Sequence, residues 1–480
     1  MNALFAPTER ILRLLWGTAL FALPVTSFRW FPLLGEGTLV RPLAMYPLMI
    51  LLPILLLLGW RRKIWLYWPG AIVALGAFVL FAFAATAFGL LIDPIPLRGQ
   101  IYSGMAVRAL GTLIIGLAFF LCAVWMNKNE EDLCFSMRWI LAGLCLDLAW
   151  SGLQAVTFYT GLLDKEAVTH WQLAFSMREL VRSNRISGLA YEPAWLAGQM
   201  STIFLPFLLA SALTGFRLTR FRWVEPVLLG TSLLVLLATY SRGGLLTALG
   251  AMGLTIVFLG RGSVRAVRGW FLTGFRGRLP SKLMRTSILV GLAGVLAGSF
   301  LFLGQRDYFR RLWEVNAESL SEYIIDINAG ARGAYTAGAL AAYEQYPWTG
   351  AGLGASGFFI YHNLPDWALT TVPEIARQLS PESRLYPNPK NLYVRLLAET
   401  GVIGFILFLA FQLQVLGAVL ALWKRELPWM RFAATAGMVA WWGITFYNFT
   451  QDSLTTPNLL LVPGIMLGLS AGSALEEQKP

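Results

Sequence analysis

Long apolar runs recur at short intervals along this chain, and they limit the fold more than any other feature. Segments 71–92 and 401–423 contain no charged residue over lengths that cross a bilayer. Hydrocarbon offers the backbone no hydrogen-bond partners, so a spanning segment is a helix or part of a closed barrel. These runs are continuous rather than alternating, which selects helices. Composition agrees, with 57% hydrophobic and 13% charged residues and 19 Trp, a residue suited to the two interfaces. The chain is therefore expected to be an all-α polytopic membrane protein, a single membrane domain over 1–480. The net charge of +12 is not a nucleic-acid signal, because the basic residues sit mainly in short connections. Cys122, Cys134 and Cys145 cluster at or near the expected cytoplasmic side, and the large outer loop contains no cysteine, so no disulfide framework is expected. The first apolar run lacks a small-residue cleavage site and reads as a span, not a signal peptide.

Twelve spans are expected, near 10–26, 39–60, 64–91, 101–126, 133–163, 193–214, 223–240, 243–260, 286–304, 391–422, 429–447 and 456–473. The connections on one side (61–63, 127–132, 215–222, 261–285 and 424–426) carry 16 Lys or Arg. The short connections on the other side (27–38, 92–100, 164–185 and 448–455) carry 6. The positive-inside rule puts the first set and both termini in the cytoplasm. Loop 261–285 decides the matter, with seven basic residues and no acid, and reads as a topological anchor. Segment 305–390 then faces the periplasm; with 7 basic and 9 acidic residues, and a helix expected from Gly330 to Tyr346, it reads as a small helical cap. In the outer segment 164–185, an amphipathic interfacial helix accounts for Lys165, Arg178 and Arg182, but not for Arg185.

The cap ends at Asn388-Pro389-Lys390-Asn391-Leu392-Tyr393-Val394-Arg395, where a polar loop turns into a span. Asn391 can cap that helix, and Asn391, Arg395 and Glu399 at i, i+4 and i+8 form one stripe. Charges at membrane depth are costly unless they face a cavity, so the stripe is expected to look inward; the plain alternative is an Arg395–Glu399 ion pair that orients the helix. Glu192-Pro193 opens the sixth span, and Ser241-Arg242-Gly243-Gly244 forms a minimal outer turn before the eighth. Spans six, eight and ten thus start on the outer face, each bringing a positive dipole end and free N–H groups, with Arg185, Arg242 and Lys390 beside them. Such a rim suits a lipid-linked phosphate. Taken singly, Arg242 is also explained as a snorkelling anchor and Glu192 as a helix cap. Two distant histidines, His170 and His362, give no metal spacing, and the letters Gly352-x-Gly354-x-x-Gly357 lie in an outer loop without a βαβ unit.

Arg185-Ile186-Ser187-Gly188-Leu189 with Glu192-Pro193, Ser241-Arg242-Gly243, Arg332 followed by Pro347-x-x-Gly350-x-Gly352, and Asn391-Leu392-Tyr393 with Glu399-x-Gly401-x-x-Gly404 occur in that order. Together they resemble the O-antigen polymerase and O-antigen ligase superfamily over a core of about 185–410, including loop 305–390. The resemblance implies a GT-C-type fold and an inverting, metal-independent glycosyltransferase without a cofactor. It implies an undecaprenyl-pyrophosphate-linked glycan donor and a glycan or lipid-linked acceptor. It also implies work at the periplasmic face of the bacterial inner membrane, alongside a flippase and a chain-length regulator. Candidate catalytic residues are Arg242, Arg332 and Lys390 for leaving-group charge and Glu192 as base; Arg185, Ser241, Asn391, Tyr393, Arg395 and Glu399 are candidate substrate contacts. Tyr335, Tyr343, Tyr346 and Trp348 are candidates for stacking on sugar rings.

Family members often carry His where this chain has Lys390, with His362-Asn363 the alternative imidazole in the same loop. Together with Glu192-Pro193, this favours a polymerase of lipid-linked repeat units; the rival is a ligase that moves finished glycan to lipid A core or another acceptor. A secondary transporter of twelve spans is the distant alternative, and it would show two related halves. In a cysteine-free background, cysteine placed near 370 is expected to react with a membrane-impermeant thiol reagent in spheroplasts and cysteine near 270 is not; the reverse pattern would invert the orientation.

Overall fold

The computed structural model describes residues 5–30, 38–64, 66–180, 184–310, 329–380 and 386–477, with single positions at 314, 319, 322, 323, 325 and 383. Among the described residues nineteen helices follow in order: α1 Phe5–Phe21, α2 Met45–Trp60, α3 Ala71–Ile92, α4 Tyr102–Met126, α5 Glu130–Tyr159, α6 Lys165–Leu173, α7 Pro193–Thr214, α8 Val224–Ala238, α9 Arg242–Phe258, α10 Arg261–Phe275, α11 Leu279–Gly304, α12 Asp307–Arg310, α13 Gly330–Gln345, α14 Ser356–His362, α15 Trp367–Thr371, α16 Pro373–Gln378, α17 Leu392–Trp423, α18 Pro428–Tyr447 and α19 Pro457–Glu477. Among the described residues the only β pairing is three isolated bridges.

A helix lies at each of the twelve expected spans. Seven of them, α3, α4, α5, α7, α11, α17 and α19, are long and apolar enough to cross a bilayer, while α2, α8 and α9 are shorter apolar helices. The chain is an integral membrane protein. Helices α7 and α19 lie mostly inside the bundle, whereas α11 is almost wholly exposed at its edge. Outward-facing Val73, Leu80 and Leu91 on α3 are each more than 70% exposed to solvent, surface that only lipid would cover.

Three local features depart from the expected pattern. Within α7, residues Met200–Phe204 widen into a π turn. Pro206 explains it: the ring has no N–H for Thr202 and would strike that carbonyl, so the turn opens. The basic 261–285 connection contains helix α10, and α11 begins at Leu279. Arg261, Arg265 and Arg268 lie on one side of α10 with exposed Val264 and Val267 beside them, the pattern of a helix lying in an interface. Among the described residues of the 164–185 segment only α6 is helical, so Arg178 is not on the expected amphipathic helix; Arg182 lies outside the described residues.

The cap helix expected from Gly330 to Tyr346 is α13, and Tyr346 follows its last residue. Helices α13 to α16 share a second apolar core, with Tyr335, Ala339, Phe358, Ile360 and Ile375, that stands on Tyr102 and Ala106 of α4 and Ala398 of α17. Loop 347–354 dips from the cap into the bundle and meets a break in α17. Gly401 has φ 60° and ψ −169°, a backbone region essentially reserved for glycine. The break frees groups that a continuous helix would pair internally, and the loop takes them: Ala351 N donates to Ala398 O at 2.9 Å, Gly352 N to Glu399 O at 3.0 Å, and Val402 N to Pro347 O at 2.8 Å. The chains touch so closely that a Cβ on Gly401 would stand 2.4 Å from the Trp348 backbone, and one on Gly350 2.4 Å from Thr400 N.

Gly401→Ala is therefore expected to destabilise the protein by about 2–5 kcal/mol, from backbone strain plus overpacking. Gly417→Ala, on the same helix with open space around it, is expected to be neutral or slightly stabilising. Thermal unfolding of the two variants in detergent compares them directly, and equal melting temperatures would remove the break's structural role.

Candidate active site

A cavity of about 1480 Å³ opens where the N-terminal ends of α4, α7, α9 and α17 meet the cap and the connection between α18 and α19. Arg185, Glu192, Ser241, Arg242, Arg332, Lys390, Arg395 and Glu399, far apart in sequence, all line it. Asn391 and Tyr393 are not on its walls. The Asn391 side chain accepts from Tyr393 N at 3.0 Å and Val394 N at 3.3 Å, capping α17. Tyr393 donates to Thr445 O at 3.0 Å and packs on Phe449. Both side chains serve the seating of α17, because their position at its start turns them toward the helix's own N–H groups and toward α18.

Polar side chains buried in α5 shape the first wall. Gln154 Oε1 accepts from Ser187 N and Gly188 N at 3.0 Å each, and Asp147 Oδ1 accepts from Leu189 N at 2.7 Å. This bends loop 185–192 across the bundle. Arg185 Nε donates to Thr239 O at 2.8 Å, just past the C-terminal end of α8, where a cation is favoured. Glu192 stands at the cap position of α7, yet its side chain makes no cap bond and pairs with Arg178 at 3.1 Å. Ser241 Oγ accepts from Gly244 N at 3.3 Å and so caps α9, which begins at Arg242. Arg332, reaching over from α13, donates to Thr450 O at 3.0 Å.

The second wall is more acidic. Arg395 Nε donates to Glu399 Oε2 at 2.9 Å, so the intrahelical pair forms and also lines the cavity. Glu399 Oε1 accepts from Ser356 Oγ at 2.7 Å, and Arg395 Nη1 donates to Asp452 O at 2.6 Å. The Lys390 ammonium pairs with Glu374 at 3.0 Å and lies 5.4 Å from the Tyr335 ring centre, so this cation is already partly neutralised. Burial pushes the Asp452 carboxyl above its ordinary range against the opposing pull of Arg395. Burial, helped by Glu374, lifts the Tyr335 phenol to about 12, and burial lifts Tyr386 higher still, so both stay neutral donors. Tyr335 and Tyr346 pack inside the cap, leaving Trp348 as the one strongly exposed ring of the four stacking candidates. His362 ends α14, against Tyr361 and exposed, and is not on the cavity wall.

Arg178, Ser356, Glu374, Tyr386 and Asp452 belong to the site without having been singled out from sequence. Asp452 left one signal, being the sole charge in a connection without Lys or Arg. The others are ordinary loop and cap residues until the fold brings them in.

Residues 227–409 match a family model described as O-antigen ligase. A search of curated proteins found no match to the chain. The matched stretch takes in the α9 turn, the cap and the first half of α17, which between them carry Arg242, Arg332, Lys390, Arg395 and Glu399.

The buried Arg395–Glu399 pair is open to a stability test. Glu399→Ala strands the Arg395 charge and is expected to cost about 3–5 kcal/mol. Arg395→Met combined with Glu399→Leu removes both charges and is expected to recover most of that loss. Melting temperatures of the single and double variants read the difference, and a single variant as stable as the parent would refute the coupling.

Proposed function

We propose that this chain, whose residues 227–409 match a family model described as O-antigen ligase, is an inverting glycosyltransferase that polymerises undecaprenyl-pyrophosphate-linked repeat units into O-antigen, capsule or exopolysaccharide. The observation that carries the reading is the meeting of Arg185, Arg242 and Arg332 on one cavity wall, beside the N-terminal ends of α7 and α9. A leaving pyrophosphate gains negative charge as the glycosidic bond breaks, and preorganised guanidinium groups and helix N-termini stabilise charge at that moment. In this reading an acceptor hydroxyl attacks the anomeric carbon from the opposite face, which inverts the linkage in one displacement. The second wall, with Ser356, Glu374, Gln378, Asn388 and Tyr386, offers the mixed donors and acceptors that sugar hydroxyls need. Glu192, held by Arg178 at the mouth, is assigned to orienting the acceptor.

The reading takes the cavity to face the periplasm from the inner membrane, with twelve spans in a GT-C-type arrangement and both termini in the cytoplasm. A flippase would deliver the donor and a chain-length regulator would limit the product. Ligation to lipid A core is the second reading, supported by the description of the matched family. Lys390, in the position of the histidine common in that family, favours polymerisation. Deletion separates them: loss of a polymerase leaves single repeats, and loss of a ligase leaves long chains on undecaprenyl pyrophosphate.

Arg242 provides the sharpest test. Arg242→Ala is expected to lower turnover by about 30- to 1000-fold, equivalent to about 2–4 kcal/mol of transition-state stabilisation, with membrane insertion intact. Arg242→Lys keeps the charge but loses the bidentate fork and should rescue only part. Wild-type turnover of Arg242→Ala at matched protein level would refute the site.

A further inference from the structure

We propose that Asp452 is the general base that takes the proton from the acceptor hydroxyl. This rests on the glycosyl-transfer reading above. Among the described residues the cavity presents four carboxylates, Glu192, Glu374, Glu399 and Asp452, and their surroundings differ. Glu399 is spent on structure: one oxygen accepts from Ser356 and the other from Arg395. Glu374 accepts from both Lys390 Nζ at 3.0 Å and Gln378 Nε2 at 2.9 Å. Glu192 sits half-exposed at the mouth against Arg178. Asp452 differs from all three. It is deep in the protein yet open to the cavity, its Oδ2 accepts a single backbone N–H from Lys390 at 3.2 Å, and its Oδ1 takes no hydrogen bond among the described residues.

Its position joins the two walls. Two residues earlier in the chain, Thr450 receives Arg332 through its carbonyl, and its methyl would lie 3.2 Å from a Cβ built on Gly243, the neighbour of Arg242. Two residues of chain reach at most about 7 Å, so the Asp452 backbone stands within that distance of Thr450, which itself faces the turn that presents Arg242. On its other side Arg395 holds its carbonyl at 2.6 Å. Tyr447 at the end of α18 lines the same cavity as Glu192, Arg332 and Asp452. A base is useful where the leaving group's cations and the acceptor's wall meet, and Asp452 is the carboxylate at that junction.

The step balances without a further reactant. The hydroxyl oxygen forms a bond to the anomeric carbon while the bond from that carbon to the pyrophosphate oxygen breaks, and its electron pair leaves with the pyrophosphate. The hydroxyl proton passes to Asp452 Oδ1 and returns to solvent before the next turnover. The groups that face Asp452 are Lys390 from the loop, Arg395 and Glu399 from α17, and Tyr447 from α18. The cations favour the carboxylate; burial and Glu399 oppose it, and burial wins, so the base titrates above the ordinary Asp range. A base tuned toward the working pH transfers protons more effectively.

The test uses the full-length protein in lipid nanodiscs, with undecaprenyl-pyrophosphate glycan extracted from cells in which the gene is deleted. Asp452→Asn is expected to lower kcat by about 10²- to 10⁴-fold with little change in the KM for donor. Asp452→Glu keeps a carboxylate and should recover part of the rate. The wild-type rate should rise with pH as the carboxyl loses its proton, and this limb should vanish in Asp452→Asn. A wild-type kcat in Asp452→Asn, or an unchanged acidic limb, would overturn the assignment. So would loss of donor binding or folding in both variants, which makes Asp452 a structural residue. If the wild-type protein itself transfers no glycan, the failure lies with the glycosyltransferase reading.

Discussion

The structure turns on the break in α17 at Gly401 and the loop that fills it. Inside a bilayer an interrupted helix exposes N–H and C=O groups that water cannot reach, and each is costly if left unpaired. Here Ala398 O, Glu399 O and Val402 N are freed at the break, and residues 347–352 of the cap satisfy all three. Gly350 and Gly401, each at positive φ, let the two backbones come together without side chains between them. The cap is therefore joined to the membrane bundle by backbone hydrogen bonds as well as by packing. Leu353 N, which donates to Thr86 Oγ1 at 3.3 Å, extends the seam to α3.

That seam explains how a buried charged site is possible. The break lies just after Glu399, so the first turns of α17 form a short segment set off from the long apolar helix below. Arg395 and Glu399 occupy that segment, paired with each other and with Ser356 and Asp452 from two other elements. An isolated pair this deep would contribute little or would destabilise, because desolvation costs about as much as the attraction returns. Extra hydrogen bonds from the cap and from the α18–α19 connection shift that balance. The same contacts fix where the cavity wall stands, so folding of the cap and assembly of the site are one event.

The opposite wall uses different physics. Loop 185–192 carries Arg185 and Glu192, and it is held by Asp147 and Gln154, polar side chains of α5 buried in the bundle. Polar residues inside a membrane helix are expensive unless they do something specific. Here they accept N–H groups from an irregular segment that hydrocarbon could not otherwise tolerate. Arg185, Arg242 and Arg332 collect beside this wall, whereas the other mixes Glu374, Glu399 and Asp452 with Arg377, Lys390 and Arg395. In the proposed reading the cationic wall takes the pyrophosphate end of the substrate and the mixed wall its sugar hydroxyls.

Sequence by itself determined the class, the helices and the order of the motifs. Apolar run length sets where helices form in lipid, so all twelve expected segments are helical, and Ser241, Asn391 and Pro193 mark helix starts through local cap chemistry that needs no tertiary context. The turn at Arg242 and the cap helix from Gly330 were readable for the same reason. What only the tertiary structure decided was pairing at a distance. Arg178 resembled an interfacial residue until loop 185–192 brought Glu192 to it, and Lys390 resembled an open cation until the cap brought Glu374. Tyr393 shared a motif with the site but faces α18, because helical rotation, not sequence proximity, sets the direction of a side chain. Asp452 joined the cavity through contacts to residues about sixty positions away. A chain records its local periodicities and caps residue by residue, whereas the meeting of charges across a cavity depends on how whole helices pack.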